Sequence, residues 1–194
     1  TFVHQSFNFV LSDLDSKGNF LKLGFDINGH GTQVAGVAAA SGEITGVAPG
    51  ARLLIIKVLD SQGETSWEQL EKAVKLAADK GATVVNLSLG YYYDETYGNN
   101  SLTYLIETLS KKNGIVFVAS AGNKGPGIGT LATPGNAKSA IGVGAYISKE
   151  MWKSIYDLDV KQDSLWYFSS AGPRQDGLIA PSVVAPGSAI TSFP

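Results

Sequence analysis

The apolar residues of this chain gather in short runs with polar segments between them. Each run is rich in Val, Ile, Leu or Ala without alternation, which is typical of strands covered on both faces. The segments 67–80 and 101–113, which separate three of these runs, carry apolar residues at helical spacing. Gly81 and Gly114 follow them, where C-terminal helix caps are expected. The four runs are residues 53–59, 83–89, 115–121 and 140–145.

The order of strand, helix, strand, helix, strand predicts an α/β fold with a parallel sheet and helices on its faces. A run of small residues at 32–40 predicts a further, tightly packed and buried helix. Ligands of open parallel sheets bind beyond the carboxyl ends of the strands. The segments 88–91 and 121–125 follow two such ends, so we expect the chemistry there.

Composition narrows the function classes. The 194 residues are 44% hydrophobic and 16% charged, which fits one globular domain over 1–194. A net charge of −2 without basic blocks argues against nucleic acid, and no apolar stretch is long enough to span a membrane. The absence of cysteine excludes a disulfide framework and a cysteine nucleophile. Thr1 begins without an initiator Met or charged leader, so we expect an internal or processed start of a longer product.

His30 is one of two histidines and lies between Gly29 and Gly31, directly before the small-residue helix. Flanking glycines leave the imidazole approachable, and an imidazole that titrates near neutrality suits a general base. A surface histidine without a catalytic role is an equal alternative from the local residues alone. His4, the other histidine, has no comparable surroundings.

Asn123 follows the apolar run 115–121, in a segment that reads Ala-Gly-Asn-Lys-Gly-Pro. Its amide could donate a hydrogen bond to a developing oxyanion, but an Asn that stabilises its own turn is common, so this residue alone is a weak signal. The glycines of 122–129 lack the Gly-Lys-Ser/Thr ending of a phosphate loop and continue into Pro126, which argues against nucleotide binding. Asp13 and Asp15 lack the further ligands of a calcium loop. We therefore expect no cofactor. Calcium binding stays open, although no site for the ion is identifiable.

Six motifs in order resemble the subtilisin family of serine proteases. The resemblance covers nearly the whole chain and implies a three-layer subtilisin-like fold, incomplete at both ends. The motifs are His-Gly-Thr at 30–32, Gly-Val-Ala-Pro at 46–49, Asn-Leu-Ser-Leu-Gly at 86–90, Ala-Gly-Asn at 121–123, Phe-Ser-Ser-Ala-Gly-Pro at 168–173 and Val-Ala-Pro-Gly at 184–187.

The resemblance also implies roles for individual residues. His30 would be the general base and Asn123 the oxyanion donor. The remaining positions would bind an extended peptide through backbone and pocket contacts, as exposed strand edges do. These substrate-binding residues would be Ser88, Leu89, Gly90, Ala121 and Gly122, with Gly63 and Ser66 on the opposite edge of the groove.

Two of the family's three catalytic positions have no counterpart in these residues. The family's Asp-Ser/Thr-Gly and Gly-Thr-Ser-Met-Ala motifs do not occur. Asp26 is too close to His30 and matches an Asp that commonly precedes the histidine motif. Neither Ser188 nor Ser192 has the flanking residues of the nucleophile. Since both gaps lie at the termini, truncation explains them better than degeneration.

The resemblance therefore implies a secreted parent serine endopeptidase that acts on peptide or protein substrates, whereas this chain alone is expected to be inactive. Its partners could include a propeptide or the remaining segments of its own domain. The alternative is a pseudoprotease, a peptide-binding or regulatory module without chemistry. Residues 147–167 exceed the loop of compact relatives, and the sequence leaves open whether they form a surface excursion or a partner contact.

Overall fold

The computed structural model describes residues 26, 28–60, 62–92 and 100–188. Two compact units divide the chain, one comprising residues 1–82 with 190–194 and the other residues 83–189. Whether the whole span 1–194 forms one peptidase domain stays a prediction.

The first unit contains two described helices, α1 (His30–Ala39) and α2 (Trp67–Asp79). Helix α2 buries an apolar stripe that includes Leu70 and Val74, as its spacing predicts. Helix α1 forms at the small-residue run, but it buries no residue fully, so the expectation of a tightly buried helix is wrong. Small residues allow close packing without requiring it.

The expected strand at 53–59 is also wrong. These residues are half-buried and form no assigned strand or helix. An apolar run reports burial, whereas a strand also requires a hydrogen-bonded neighbour. The periodicity of residues 53–59 could not supply that information.

The described residues of the second unit form a five-stranded sheet and two helices. The parallel strands β1 (Val84–Leu87), β2 (Val116–Ser120) and β3 (Ala140–Ile147) lie side by side in that order. Helix α3 (Ser101–Asn113) connects β1 to β2. The parallel sheet with flanking helices confirms the α/β prediction.

Two later strands complete the sheet, both pairing with β3. Strand β5 (Val183–Pro186) pairs in parallel, and the two-residue β4 (Ser164–Leu165) pairs antiparallel. Helix α4 (Lys149–Tyr156) lies between β3 and β4. Aromatic side chains join these elements, with ring centroids 5.1 Å apart for Trp152 and Trp166 and 5.5 Å for Trp166 and Phe168. Residues 147–167 therefore contain a helix and a short strand that pairs antiparallel with β3, while a partner contact stays untested.

The two faces of the sheet differ in burial. Phe117 and Ala119 of β2 are 0% and 1% exposed and lie on one face. The residues that alternate with them point to the other face, and there Val116 is 43% and Ile141 39% exposed. Among the described strands, one face is therefore closely packed and the other only partly covered.

Candidate active site

His30 is the first residue of α1, and it is exposed. Gly29 precedes it with φ 86°, a left-handed conformation that glycine adopts without steric cost. The backbone N–H of His30 lies 3.4 Å from Oδ1 of Asn28. The glycine turn thus presents the imidazole at the start of a helix, as the sequence predicts.

Asp26 holds this turn through both carboxylate oxygens. Oδ1 accepts the N–H of Gly29 at 2.9 Å, while Oδ2 accepts the N–H of Thr32 at 2.7 Å and its hydroxyl at 2.6 Å. Partial burial raises the pKa of Asp26, but the hydrogen bonds from Thr32 and Gly29 and the charge of His30 outweigh it and lower the pKa overall. Asp26 is therefore a helix-capping carboxylate next to the candidate base.

Gly63 and Ser66 lie in a turn that leads into α2. The carboxylate of Asp60 accepts the N–H groups of Glu64 at 2.9 Å and Gln62 at 2.8 Å, and these bonds lower the pKa of Asp60. Gly63 has φ 81°. Ser66 is the N-cap of α2 and forms a capping box with Gln69. Both residues thus have a local structural role besides the predicted contact with substrate.

The segments after β1 and β2 come together at the carboxyl edge of the sheet. The hydroxyl of Ser120 donates to the carbonyl of Leu89 at 3.4 Å, and Ser88 accepts the amide of Asn86 at 2.9 Å. Gly90 packs so closely that an added Cβ would lie 2.9 Å from the Cβ of Ala132. These segments lie close together because β1 and β2 are parallel neighbours, so both strands end at the same edge of the sheet.

Ala121, Gly122 and Asn123 continue from β2 along this edge. Ala121 donates to Val143 at 2.8 Å and accepts from Ala132 at 2.7 Å. Gly122 has φ 109°, and an added Cβ would lie 2.8 Å from the hydroxyl oxygen of Ser170. Asn123 itself is exposed. A fixed backbone therefore presents an exposed side-chain amide where ligands of parallel sheets bind.

Tyr92 and Ser170 contact this loop, and sequence reasoning assigned neither a role. The hydroxyl of Tyr92 accepts the backbone N–H of Asn123, and the Lys124 ammonium lies 4.2 Å from the centre of the Tyr92 ring. The hydroxyl of Ser170 accepts the N–H of Lys124 at 3.0 Å. Ser170 lies inside the Phe-Ser-Ser-Ala-Gly-Pro motif, which could have singled it out, whereas no pattern marks Tyr92.

The structure thus brings six predicted residues together in the second unit and leaves three in the first. The roles of all nine stay predictions. The group at the sheet edge comprises Ser88, Leu89, Gly90, Ala121, Gly122 and Asn123; the others are His30, Gly63 and Ser66.

Comparison with known proteins assigns the family. A profile of the subtilase family (peptidase S8) matches residues 18–193. The chain belongs to this family. Pyrolysin of Pyrococcus furiosus is 34% identical to the chain over a gapped alignment of 239 residues. This alignment covers 99% of the chain and 17% of pyrolysin. The thermophilic serine proteinase of a Bacillus species is 40% identical over 92 residues, covering 45% of the chain and 21% of the proteinase.

A solved structure gives the same assignment at the level of the fold. Sphericase superposes with a TM-score of 0.66 at 33% identity, over 83% of this chain and 53% of sphericase. This subtilase chain therefore spans about a fifth of the two curated relatives and half of the structural one. Its relatives include serine proteases, and this supports a protease function.

Among the described residues, no group of three or more His, Cys, Asp or Glu side chains is placed to hold a metal ion. No described helix is both long and apolar enough to cross a bilayer.

Proposed function

We propose that the full-length protein carrying this chain is a secreted serine endopeptidase that hydrolyses peptide bonds by subtilisin-type acyl transfer. Family membership supports the chemistry. The observation that carries the proposal is the exposed Asn123 on a fixed loop at the carboxyl edge of the parallel sheet. Preorganised donors of this kind stabilise the oxyanion of acyl transfer.

In the proposed reaction, a serine hydroxyl outside the motifs of this chain attacks the scissile carbonyl carbon. His30 accepts the hydroxyl proton as the C–O bond forms, and the carbonyl electron pair moves to the oxygen, where Asn123 donates a hydrogen bond. The tetrahedral intermediate then expels the amine, which takes the proton from His30. In the second half of the reaction, water attacks the acyl carbon while His30 accepts its proton. The serine oxygen then leaves and takes this proton from His30.

The substrate is proposed to be an extended peptide or protein segment. Its backbone would pair with Ser88, Leu89 and Gly90 on one side, and with Gly63 and Ser66 on the other. Ala121 and Gly122 would form part of the wall of a side-chain pocket. Because backbone pairing is independent of side chains, the pocket would set cleavage preference.

Fluorophosphonate labelling tests the proposal, because this reagent reacts with serine nucleophiles that an adjacent base activates. The full-length protein should label, whereas the 194-residue chain alone should not, since it carries no nucleophile motif. His30→Ala should abolish labelling of the full-length protein. His4→Ala, a change of the chain's other histidine, is the matched control and should label normally.

Two results would contradict the proposal. Labelling of the isolated chain, abolished by His30→Ala, would show that these residues contain their own nucleophile. A full-length protein that binds peptides without labelling would instead be a pseudoprotease that keeps the groove and lacks the chemistry.

A further inference from the structure

Two adjacent serines, Ser169 and Ser170, are buried beside the candidate oxyanion loop. They are 6% and 1% exposed. Each hydroxyl accepts one backbone N–H group, that of Ala145 at 2.9 Å for Ser169 and that of Lys124 at 3.0 Å for Ser170. The two serines are thus alike in type, burial and bonding, but Ser169 binds strand β3 while Ser170 binds the loop that carries Asn123.

Ser170 contacts the loop on both sides of Asn123. Besides the bond from Lys124, its own N–H donates to the carbonyl of Gly122 at 3.0 Å. The next bond along the same two segments runs from Gly125 to the carbonyl of Phe168 at 2.9 Å. Residues 122–125 belong to no helix or strand. Contacts with Phe168 and Ser170 therefore help to fix the path of the backbone through Asn123.

The contact is also close-packed. An added Cβ on Gly122 would lie 2.8 Å from the Ser170 hydroxyl oxygen and 2.9 Å from the Cβ of Ala132. Removing the hydroxyl would leave the Lys124 N–H without its partner and open a small void beside Gly122. The backbone bonds at Gly122 and Gly125 and the bond from Asn123 to Tyr92 would remain, so we expect a local shift of Asn123 and Lys124 rather than unfolding of the loop.

We propose that Ser170 is a positioning residue that holds Asn123 in the geometry needed to stabilise the oxyanion. The proposal rests on the proposed function, in which Asn123 is the donor. An oxyanion donor acts by being fixed before charge develops, so its effect depends on the backbone that carries it. Ser170 acts through that backbone and does not touch the substrate.

Steady-state kinetics of the full-length protein on a peptide anilide test this role. Asn123→Ala should lower kcat by roughly 10²–10³-fold, the range for loss of an oxyanion donor. Ser170→Ala should lower kcat by roughly 10-fold or more with little change in KM, because a shift of about 1 Å in a catalytic group can cost ~10²-fold. Ser169→Ala, the matched control, should change kcat by less than about twofold, since its partner Ala145 lies in a strand ladder.

A double variant and an exchange measurement separate positioning from a general loss of structure. In the Asn123→Ala background, adding Ser170→Ala should cost less than about twofold, because the group that it positions is gone. Amide hydrogen exchange should quicken at Lys124 in Ser170→Ala and at Ala145 in Ser169→Ala.

The three failures are distinguishable. If Asn123→Ala leaves kcat unchanged, the proposed role of Asn123 is wrong and the positioning role falls with it. If Asn123→Ala lowers kcat but Ser170→Ala acts no more strongly than Ser169→Ala, only the positioning role is overturned. Equal losses from Ser170→Ala in both backgrounds would likewise overturn it.

Discussion

At the scale of single residues, Asp26 determines the local geometry around His30. Its carboxylate accepts three hydrogen bonds, from Gly29 and from the N–H and hydroxyl of Thr32. A negative charge at a helix N-terminus is also favoured by the helix dipole. The residue that the motifs excluded as the catalytic Asp therefore has a clear structural role.

Asp26→Asn should lower the free energy of unfolding at pH 7 by about 1–2 kcal/mol, because an amide NH2 replaces one of the two accepting carboxylate oxygens and the negative charge is lost. The pKa of Asp26 in the folded state lies below its ordinary value of 3.8. The stabilisation that the ionised Asp26 carboxylate contributes is therefore fully present above pH 3.8. It is lost as the pH falls through the pKa of Asp26 in the folded state. The difference between wild type and variant should narrow on acidification, as measured by urea unfolding at several pH values.

Asp79→Asn is the control for this experiment, because Asp79 is an exposed acid at the last position of α2. A carboxylate near a helix C-terminus gains nothing from the dipole, so this change should not destabilise the protein. If the difference in unfolding free energy between wild type and Asp26→Asn widened instead of narrowing as the pH falls below 3.8, the capping role would be contradicted.

At the scale of elements, helix boundaries are set by side chains that sequence patterns mark well. Helices α2 and α3 both begin with a capping box, Ser66 with Gln69 and Asn100 with Thr103. Helix α3 ends at Asn113, and Gly114 caps it in a left-handed conformation with φ 68°. Ser66 thus has a second interpretation, because it serves a helix regardless of any substrate.

Ser66→Ala should lower the free energy of unfolding by about 1 kcal/mol, because α2 loses its N-cap. Ser154→Ala in the middle of α4 is the control and should be neutral or slightly stabilising, since Ala is the better helix former. Thermal or urea unfolding measures both. If Ser66→Ala left stability unchanged while weakening peptide binding, a role in the substrate groove would explain Ser66 better than capping.

At the scale of the whole molecule, the sheet of the second unit carries both the core and the candidate oxyanion loop. Strand β2 lies between β1 and β3, and its Phe117 is fully buried. The loop with Asn123 begins where this strand ends. Stability of the strand and geometry of the site are therefore linked.

Phe117→Ala should destabilise the protein by about 3–5 kcal/mol through lost burial and a cavity. The neighbouring Val116 is 43% exposed, so Val116→Ala should cost less than about 1 kcal/mol. Urea unfolding followed by circular dichroism compares the two. Similar losses at both positions would mean that the burial difference between the two sheet faces does not persist in solution.

The sequence by itself determined the elements of local origin. Helical periodicity, caps and glycine signals placed α2 and α3 closely, and the six motifs in order were enough to identify the subtilase family. These features depend on neighbouring residues in the chain, so they can be read along it. The same reasoning marked Asn123 and His30 as candidates, but it could not test their roles.

Only the tertiary structure decided the features that depend on residues far apart in sequence. The run at 53–59 lacks an assigned strand because pairing, unlike apolar content, depends on a neighbour. Residues 147–167 fold onto β3 through the antiparallel pairing of β4, and an aromatic contact that no period predicts joins Trp152 of α4 to Trp166. Ser170 contacts Lys124 across 46 positions of sequence, and Tyr92 contacts Asn123 across 31. Such contacts exist only once the parallel strands have brought their ends together.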